Sequence, residues 1–170
     1  MADNTDNDYD VVILGAGSGG YACALRAAQL GLRVALVEKD KVGGTCLHYG
    51  CIPTKALLHA AEVADEVRDG SSIGINASLE AIDMKGVNTY KEGVVGGLYK
   101  GLQGLIKAGG IEVVQGAGRL VGTHTVQVGD RRLTGRNLVL ATGSYPRSLP
   151  GLDIAGRVMT SEQALTLDFV

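Results

Sequence analysis

Apolar residues run unbroken from Val11 to Leu14, directly after a polar, acidic N-terminal stretch that ends in Asp10. A short run without polar alternation suits a strand buried on both faces of a parallel sheet. Gly15-Ala16-Gly17-Ser18-Gly19-Gly20 follows as a turn, and residues 18–30 read as an Ala-rich helix closed by Gly31. Glycine suits that closing position because left-handed backbone costs it no Cβ clash. Arg33 to Val37 is a second apolar run, ending in Glu38, so the stretch forms a β-α-β unit.

Pro53 suits the first turn of a helix, where its missing N–H leaves no broken bond. The pattern predicts that helix to about Arg68, stopping at Gly70, with Ala56, Leu57, Ala60, Ala61 and Ala64 on one broad core face. Residues 71–83 read as a loop. A long helix is predicted over 85–108, carrying Val87, Val94, Leu98, Leu102 and Leu105 at near-helical spacing. Short β-like runs come next at Ile111–Val114, Arg119–Val121, Thr125–Val128 and Leu133, separated by glycine turns. That spacing predicts an antiparallel meander. Asn137–Ala141 reads as another buried strand, and Thr142-Gly143-Ser144 with Pro146 and Pro150 marks the loop after it. A last strand is predicted near Arg157–Met159, leading to a helix capped by Thr160 or Ser161. The fold class is α/β: a Rossmann-like parallel sheet flanked by helices, with a β-meander inserted before the last parallel strand. The expected organisation is a flexible N-terminus over 1–8 and one domain over 9–170.

Composition narrows the function. Glycine is abundant, 26 of 170 residues, and clusters at turns. The net charge of −2 excludes a general nucleic-acid binder or an anionic-membrane binder. No apolar run reaches the roughly 18 residues of a membrane span. The N-terminus lacks the pattern of a secretory signal, which predicts a cytoplasmic protein. Three cysteines are too few for a disulfide scaffold. In that compartment a cysteine pair is more often catalytic or metal-binding than structural.

Gly15-x-Gly17-x-x-Gly20 lies between a strand and a helix, as a dinucleotide fingerprint requires. Gly15 permits the tight turn, Gly17 lets backbone approach a pyrophosphate, and Gly20 lets helix and strand pack closely. The helix start offers free N–H groups to that anion. Glu38, about 20 residues on, can accept hydrogen bonds from a ribose 2′-OH and would repel a 2′-phosphate. Cys46 and Cys51 follow in Gly43-Gly44-Thr45-Cys46-Leu47-His48-Tyr49-Gly50-Cys51-Ile52-Pro53-Thr54-Lys55. Five residues of regular helix turn about 500°, which would splay the two thiols by about 140°. A bridge needs Cα atoms within about 7 Å, so the chain between them must depart from ideal helix, and Gly50 permits that. Three readings stand for the pair: an exchangeable redox couple beside a helix N-terminus, an inert bridge or two buried thiols, and a metal site with His48. The last lacks a fourth ligand, so no metal is predicted. Lys55, four residues after Cys51, falls on the same helix face and can favour a thiolate or an anionic reduced cofactor. Cys23 reads as a small core thiol, and His59 and His124 as structural or exposed. Gly97-x-x-x-Gly101 implies close helix packing in a soluble domain, because Lys91, Glu92, Lys100 and Lys107 exclude a membrane setting.

These motifs resemble the N-terminal FAD domain of the disulfide-reductase flavoenzymes, over about Tyr9 to Val170. Within that group the cysteine segment is most similar to that of the dihydrolipoyl dehydrogenases; His48 replaces the usual Asn. The resemblance implies FAD bound at Gly15, Gly17, Ser18 and Gly19 for the pyrophosphate and Glu38 for the adenosine ribose. Lys39, Gly44 and Thr45 are implied as further contacts, Ala117 and Gly118 as backbone beside the adenine, and Ala141, Thr142, Gly143 and Ser144 as a second contacting strand end. Cys51 is implied as the thiol facing the flavin, Cys46 as the thiol that exchanges with dihydrolipoamide, and Lys55 as a neighbour of the ring. The implied reaction passes electrons from dihydrolipoamide through a Cys46–Cys51 disulfide and FAD to NAD+.

The resemblance further implies a homodimer and, as partner, the dihydrolipoyl group of a 2-oxo acid dehydrogenase acyltransferase. No second GxGxxG occurs after Gly151, and the family's NAD and dimerisation domains have no counterpart in this sequence. The expectation is therefore an N-terminal portion carrying half of the relay and inactive alone. Two other readings remain: a non-catalytic FAD-binding or interaction module, and an enzyme like glutathione or mercuric reductase.

Overall fold

A computed structural model of the protein describes residues 8–169. The flexible N-terminus expected over 1–8 lies, apart from Asp8, outside the described residues. The chain forms two compact units, one of residues 8–46 and 99–144, the other of 47–98 and 145–169.

The first unit holds the sheet. Its strands are β1 (Tyr9–Leu14), β2 (Val34–Glu38), β3 (Glu112–Gln115), β4 (Gly118–Gly122), β5 (Thr125–Val128) and β6 (Arg131–Leu140), in the order β3-β2-β1-β6-β5-β4. β1 is parallel to β2 and to β6, and β2 is parallel to β3. β5 is antiparallel to β4 and β6. Helix α1 (Ser18–Gln29) connects β1 to β2 and packs on both. Leu30 caps it and Gly31 turns away at φ 78°, the left-handed closing step that the sequence implied.

Pleating explains why the meander lies where it does. Val12, Ala35 and Val37 point to one face and form a core with Val114, Val126, Val128 and Leu133. Ile13 and Leu36, equally buried, point to the other face. The β4–β5 hairpin thus curls over the parallel strands and supplies their cover, so both faces of β1 and β2 are apolar. Gly118 makes this closure possible: a Cβ there would lie 2.4 Å from Leu14 Cδ1.

Three strand expectations are corrected. Ile111–Val114 does not open the meander; β3 adds in parallel to β2, with Val114 joining the buried core beside Val37 while Val113 stays exposed. Leu133 and Asn137–Ala141 are not separate strands. β6 is one continuous strand whose first half pairs antiparallel with β5 and whose second half pairs parallel with β1. Arg157–Met159 is not a strand: it has no ladder partner, and Val158 N–H instead closes a turn onto Ala155 O at 3.1 Å.

α2 (Gly44–His48) follows β2 by a short loop. In the second unit, α3 runs Cys51–Asp69 with Pro53 in its first turn, as expected. Its buried line is Pro53, Ala56 and Ala64, narrower than expected, with Ala61 exposed. A 3-10 turn at Gly70–Ile73 then breaks the predicted loop. α4 spans Met84–Ala108. Leu102 and Ile106 are buried along it, whereas Leu98 and Leu105 are exposed. Nothing lies within 4 Å of a Cβ built at Gly97 or Gly101, so close helix packing is not seen at either glycine. α5 (Ser161–Ala164) carries a full capping box: Thr160 Oγ1 accepts from Gln163 N–H, and Gln163 Oε1 accepts from Thr160 N–H. Among the described residues no helix is long and apolar enough to cross a membrane.

Candidate dinucleotide and redox-cysteine site

The carboxyl ends of β1, β2, β3 and β6 share one edge of the sheet. The chain reverses direction of growth at β1, with β2 on one side and β6 on the other, and such switch points are where open α/β sheets bind ligands. Backbone hydrogen bonds fix the edge. Gly15 N–H donates to Val37 O and Ala141 N–H to Leu14 O, each at 2.8 Å, and Gly116 N–H donates to Glu38 O at 2.7 Å. They bring Gly15, Glu38, Ala117, Gly118 and Ala141 to one rim from separate parts of the sequence.

Two of the fingerprint glycines, Gly15 and Gly20, are required by close contact, whereas a Cβ at Gly17 would meet only Gly44 Cα at 3.9 Å. Gly15 has φ 101°, and a Cβ there would sit 2.1 Å from Ala141 O. A Cβ at Gly20 would sit 1.8 Å from Gly15 O, inside the turn itself. Gly17 caps α1 in extended conformation and no side chain satisfies the first-turn N–H groups. Ser18 and Gly19 stand exposed there. A helix start of this kind, aimed at a strand edge, favours a phosphate. Gly44 backs it from the next loop: a Cβ on Gly44 would fall 2.6 Å from Gly17 Cα, and Gly43 N–H donates to Ala16 O at 2.8 Å.

Glu38 is held from both sides. Its Oε2 accepts from Ala16 N–H at 2.7 Å and its Oε1 from Asp40 N–H at 2.9 Å. The fingerprint loop thus orients the acid before any ligand arrives, and each oxygen keeps a further acceptor site for a diol. Sequence reasoning missed this link because both donors are backbone groups without residue identity. Lys39, Thr45, Thr142, Gly143 and Ser144 are exposed around the rim, and Gly143 turns at φ 74°.

Both motif cysteines are thiols in the structure. α2 ends at His48 and α3 begins at Cys51, with Gly50 at φ −150°, ψ −108° between them. The break interrupts regular helix between the two cysteines. Cys46 is half-buried in α2; Cys51 is exposed at the first position of the 19-residue α3. Lys55 lies one turn further on and is also exposed. Of the remaining candidates, Cys23 is half-buried rather than enclosed. His59 is exposed, pairs with Glu62 at 3.6 Å and meets the Tyr90 ring. His124 Nδ1 lies 3.2 Å from Gly135 O.

A mostly parallel sheet flanked by helices, with a glycine-rich turn between β1 and α1 at its switch point, defines a Rossmann-like α/β fold. The sequence model for the pyridine nucleotide-disulphide oxidoreductases matches residues 9–170, and the chain belongs to that family. It is 45% identical to the dihydrolipoyl dehydrogenase of Bacillus subtilis, with 95% of this chain and 37% of the relative covered. It is 41% identical to dihydrolipoyl dehydrogenase 2 of Haloarcula marismortui, over 95% of this chain and 36% of the relative. For the dihydrolipoyl dehydrogenase of Thermus scotoductus the identity is 40%, over 94% and 34%. The chain thus spans about a third of the length of these relatives.

Proposed function

We propose that the chain is the FAD-binding and disulfide-bearing portion of a dihydrolipoyl dehydrogenase-type oxidoreductase. The observation that carries the reading is one segment, residues 44–55, that joins the pyrophosphate-facing loop to Cys46, Cys51 and Lys55. The glycine cradle fits the cofactor. Gly15, Gly17, Ser18 and Gly19 would hold the pyrophosphate, Glu38 the ribose hydroxyls, and Ala117 and Gly118 the adenine. Lys39, Gly44, Thr45 and Ala141 to Ser144 would complete the rim. When bound, FAD supplies a two-electron acceptor between the cysteine pair and NAD+.

The chain's own chemistry is thiol–disulfide exchange. In the oxidised pair, a dihydrolipoamide thiolate attacks Cys46 Sγ; the Cys46–Cys51 bond breaks and Cys51 leaves as a thiolate. The second substrate thiol then attacks the substrate sulfur of the mixed disulfide. Lipoamide closes, Cys46 is released as a thiol, and two electrons have moved to the cysteine pair. Cys51 at the first position of α3 and Lys55 one turn on share the start of that helix. The partner in this reading is the dihydrolipoyl group of an acyltransferase, and the complete reaction further requires an NAD site and, as in the family, a dimer.

The test is the visible spectrum of the chain with FAD, before and after one equivalent of dithiol. Retained flavin that gains a long-wavelength band, absent in Cys51→Ser, supports the assignment. Retained flavin with no dithiol response favours a non-catalytic FAD module. No retained flavin sinks the claim that this segment holds the cofactor by itself.

A further inference from the structure

Lys91 is the one charged side chain that is buried among the described residues, at 7% exposure. Its ammonium has no carboxylate partner in the contacts it makes. It donates to Asn88 Oδ1 and to Leu165 O, each at 2.7 Å. Asn88 in turn donates from Nδ2 to Leu167 O at 3.0 Å. One face of α4 therefore grips two alternate carbonyls of the segment that leaves α5. Leu165 caps that helix, so its carbonyl is one that a helix end leaves unsatisfied, where a cation is favoured.

The grip matters because little else holds the segment. Between residues 145 and 169 only Thr160, Leu165 and Leu167 are even half-buried. Apolar packing on that scale cannot order so long a stretch against its chain entropy. A buried ammonium is costly unless its donors are used, and here two are used on this segment and its helper Asn88. The same segment ends at Asp168 and Phe169, which line a cavity of about 580 Å³ together with Arg68, Glu80, Ile82 and Asp83.

We propose that Asn88 and Lys91 form a latch that straps residues 160–169 onto α4 and so closes one wall of this cavity. Releasing the latch frees the strap and the loop at 79–83 together. Neither residue belongs to the proposed redox machinery, so the device is independent of the FAD assignment.

Hydrogen–deuterium exchange on the whole chain tests it. Lys91→Met keeps the side-chain bulk and removes the donors. Amides of 160–169 and of 79–83 are expected to exchange roughly tenfold to a hundredfold faster, the range set by losing one charged hydrogen bond in a local opening. Amides of β2 are expected to stay unchanged. Unaltered exchange over 160–169, or a rise there that leaves 79–83 untouched, overturns the proposal. Should Lys91→Met fail to fold, Asn88→Asp decides: it leaves the ammonium a partner but sets an oxygen against Leu167 O. The same paired rise is then expected, and its absence overturns the latch.

Discussion

At the scale of single residues, the site is set by where a Cβ cannot go and by which oxygens the backbone has claimed. Gly20 and Gly19 separate the two effects. Gly20→Ala drives a methyl into Gly15 O and is expected to collapse the turn, seen as loss of the cooperative melt. Gly19→Ala meets nothing within 4 Å, so the melt is retained and any loss appears only in FAD binding. Glu38→Gln keeps the shape but turns one acceptor oxygen into a donor facing an N–H. FAD affinity measured by fluorescence quenching is expected to fall about 10- to 100-fold, the weight of a charged hydrogen bond. Gly15 and Gly20 were legible in the sequence because a Cβ at either would strike backbone, and the roles proposed for Glu38 and the cysteines likewise rest on residue type. Ala16 and Asp40 were not, because they act through amides that any residue offers. Lys91 was read only as one of the charges that exclude a membrane setting, since nothing local signals that its ammonium is covered from residue 165.

Elements show a similar division. β1, α1 and β2 follow from local pattern because each is short, apolar and punctuated by glycine. β3 and β6 do not, because strand direction and strand continuity are decided by neighbours far along the chain. The amino edge of the sheet makes the point. Tyr9 at the start of β1 donates its hydroxyl proton to Glu112 on β3, and Arg131 on β6 reaches both, at 2.7 Å to Glu112 and 2.8 Å to the Tyr9 oxygen. The Arg131 and Tyr9 hydrogen bonds hold the Glu112 carboxyl below its ordinary range. Burial, then the Glu112 contact, pushes the Tyr9 hydroxyl up to about 12. A depressed acid stabilises the fold above its unfolded pKa, about 4.3, and that contribution is lost as pH falls through the folded value. Glu112→Gln should therefore lower the melting temperature at pH 7 but match the parent chain in strong acid. The Tyr9 contribution has the opposite sign of pH dependence, present below about 10 and lost as pH rises through about 12. Glu112 and Arg131 are largely exposed, so the loss on Glu112→Gln stays well below that of a core truncation such as Ile13→Ala, about 2–5 kcal/mol.

For the molecule as a whole, these two edges divide the work, and the division can be tested in one experiment. The staple of Tyr9, Glu112 and Arg131 stands at the amino ends of the parallel strands, and the proposed cofactor rim at their carboxyl ends. A ligand that binds only the folded chain at a hundred times its Kd stabilises it by about 2.7 kcal/mol. For a chain of 150–250 residues, 1 kcal/mol shifts Tm by roughly 2–4 °C, so FAD should raise Tm by about 5–10 °C. Glu112→Gln lowers the starting Tm and leaves the FAD-induced rise intact, because nothing at the amino edge touches the rim. Glu38→Gln does the converse at the same FAD concentration, shrinking the rise more than it lowers the start. If both substitutions cut the FAD-induced rise equally, the sheet transmits cofactor binding from one edge to the other and the rim is not preformed. If neither does, FAD stabilises the chain from somewhere other than the carboxyl edge, and the cofactor assignment at Glu38 falls.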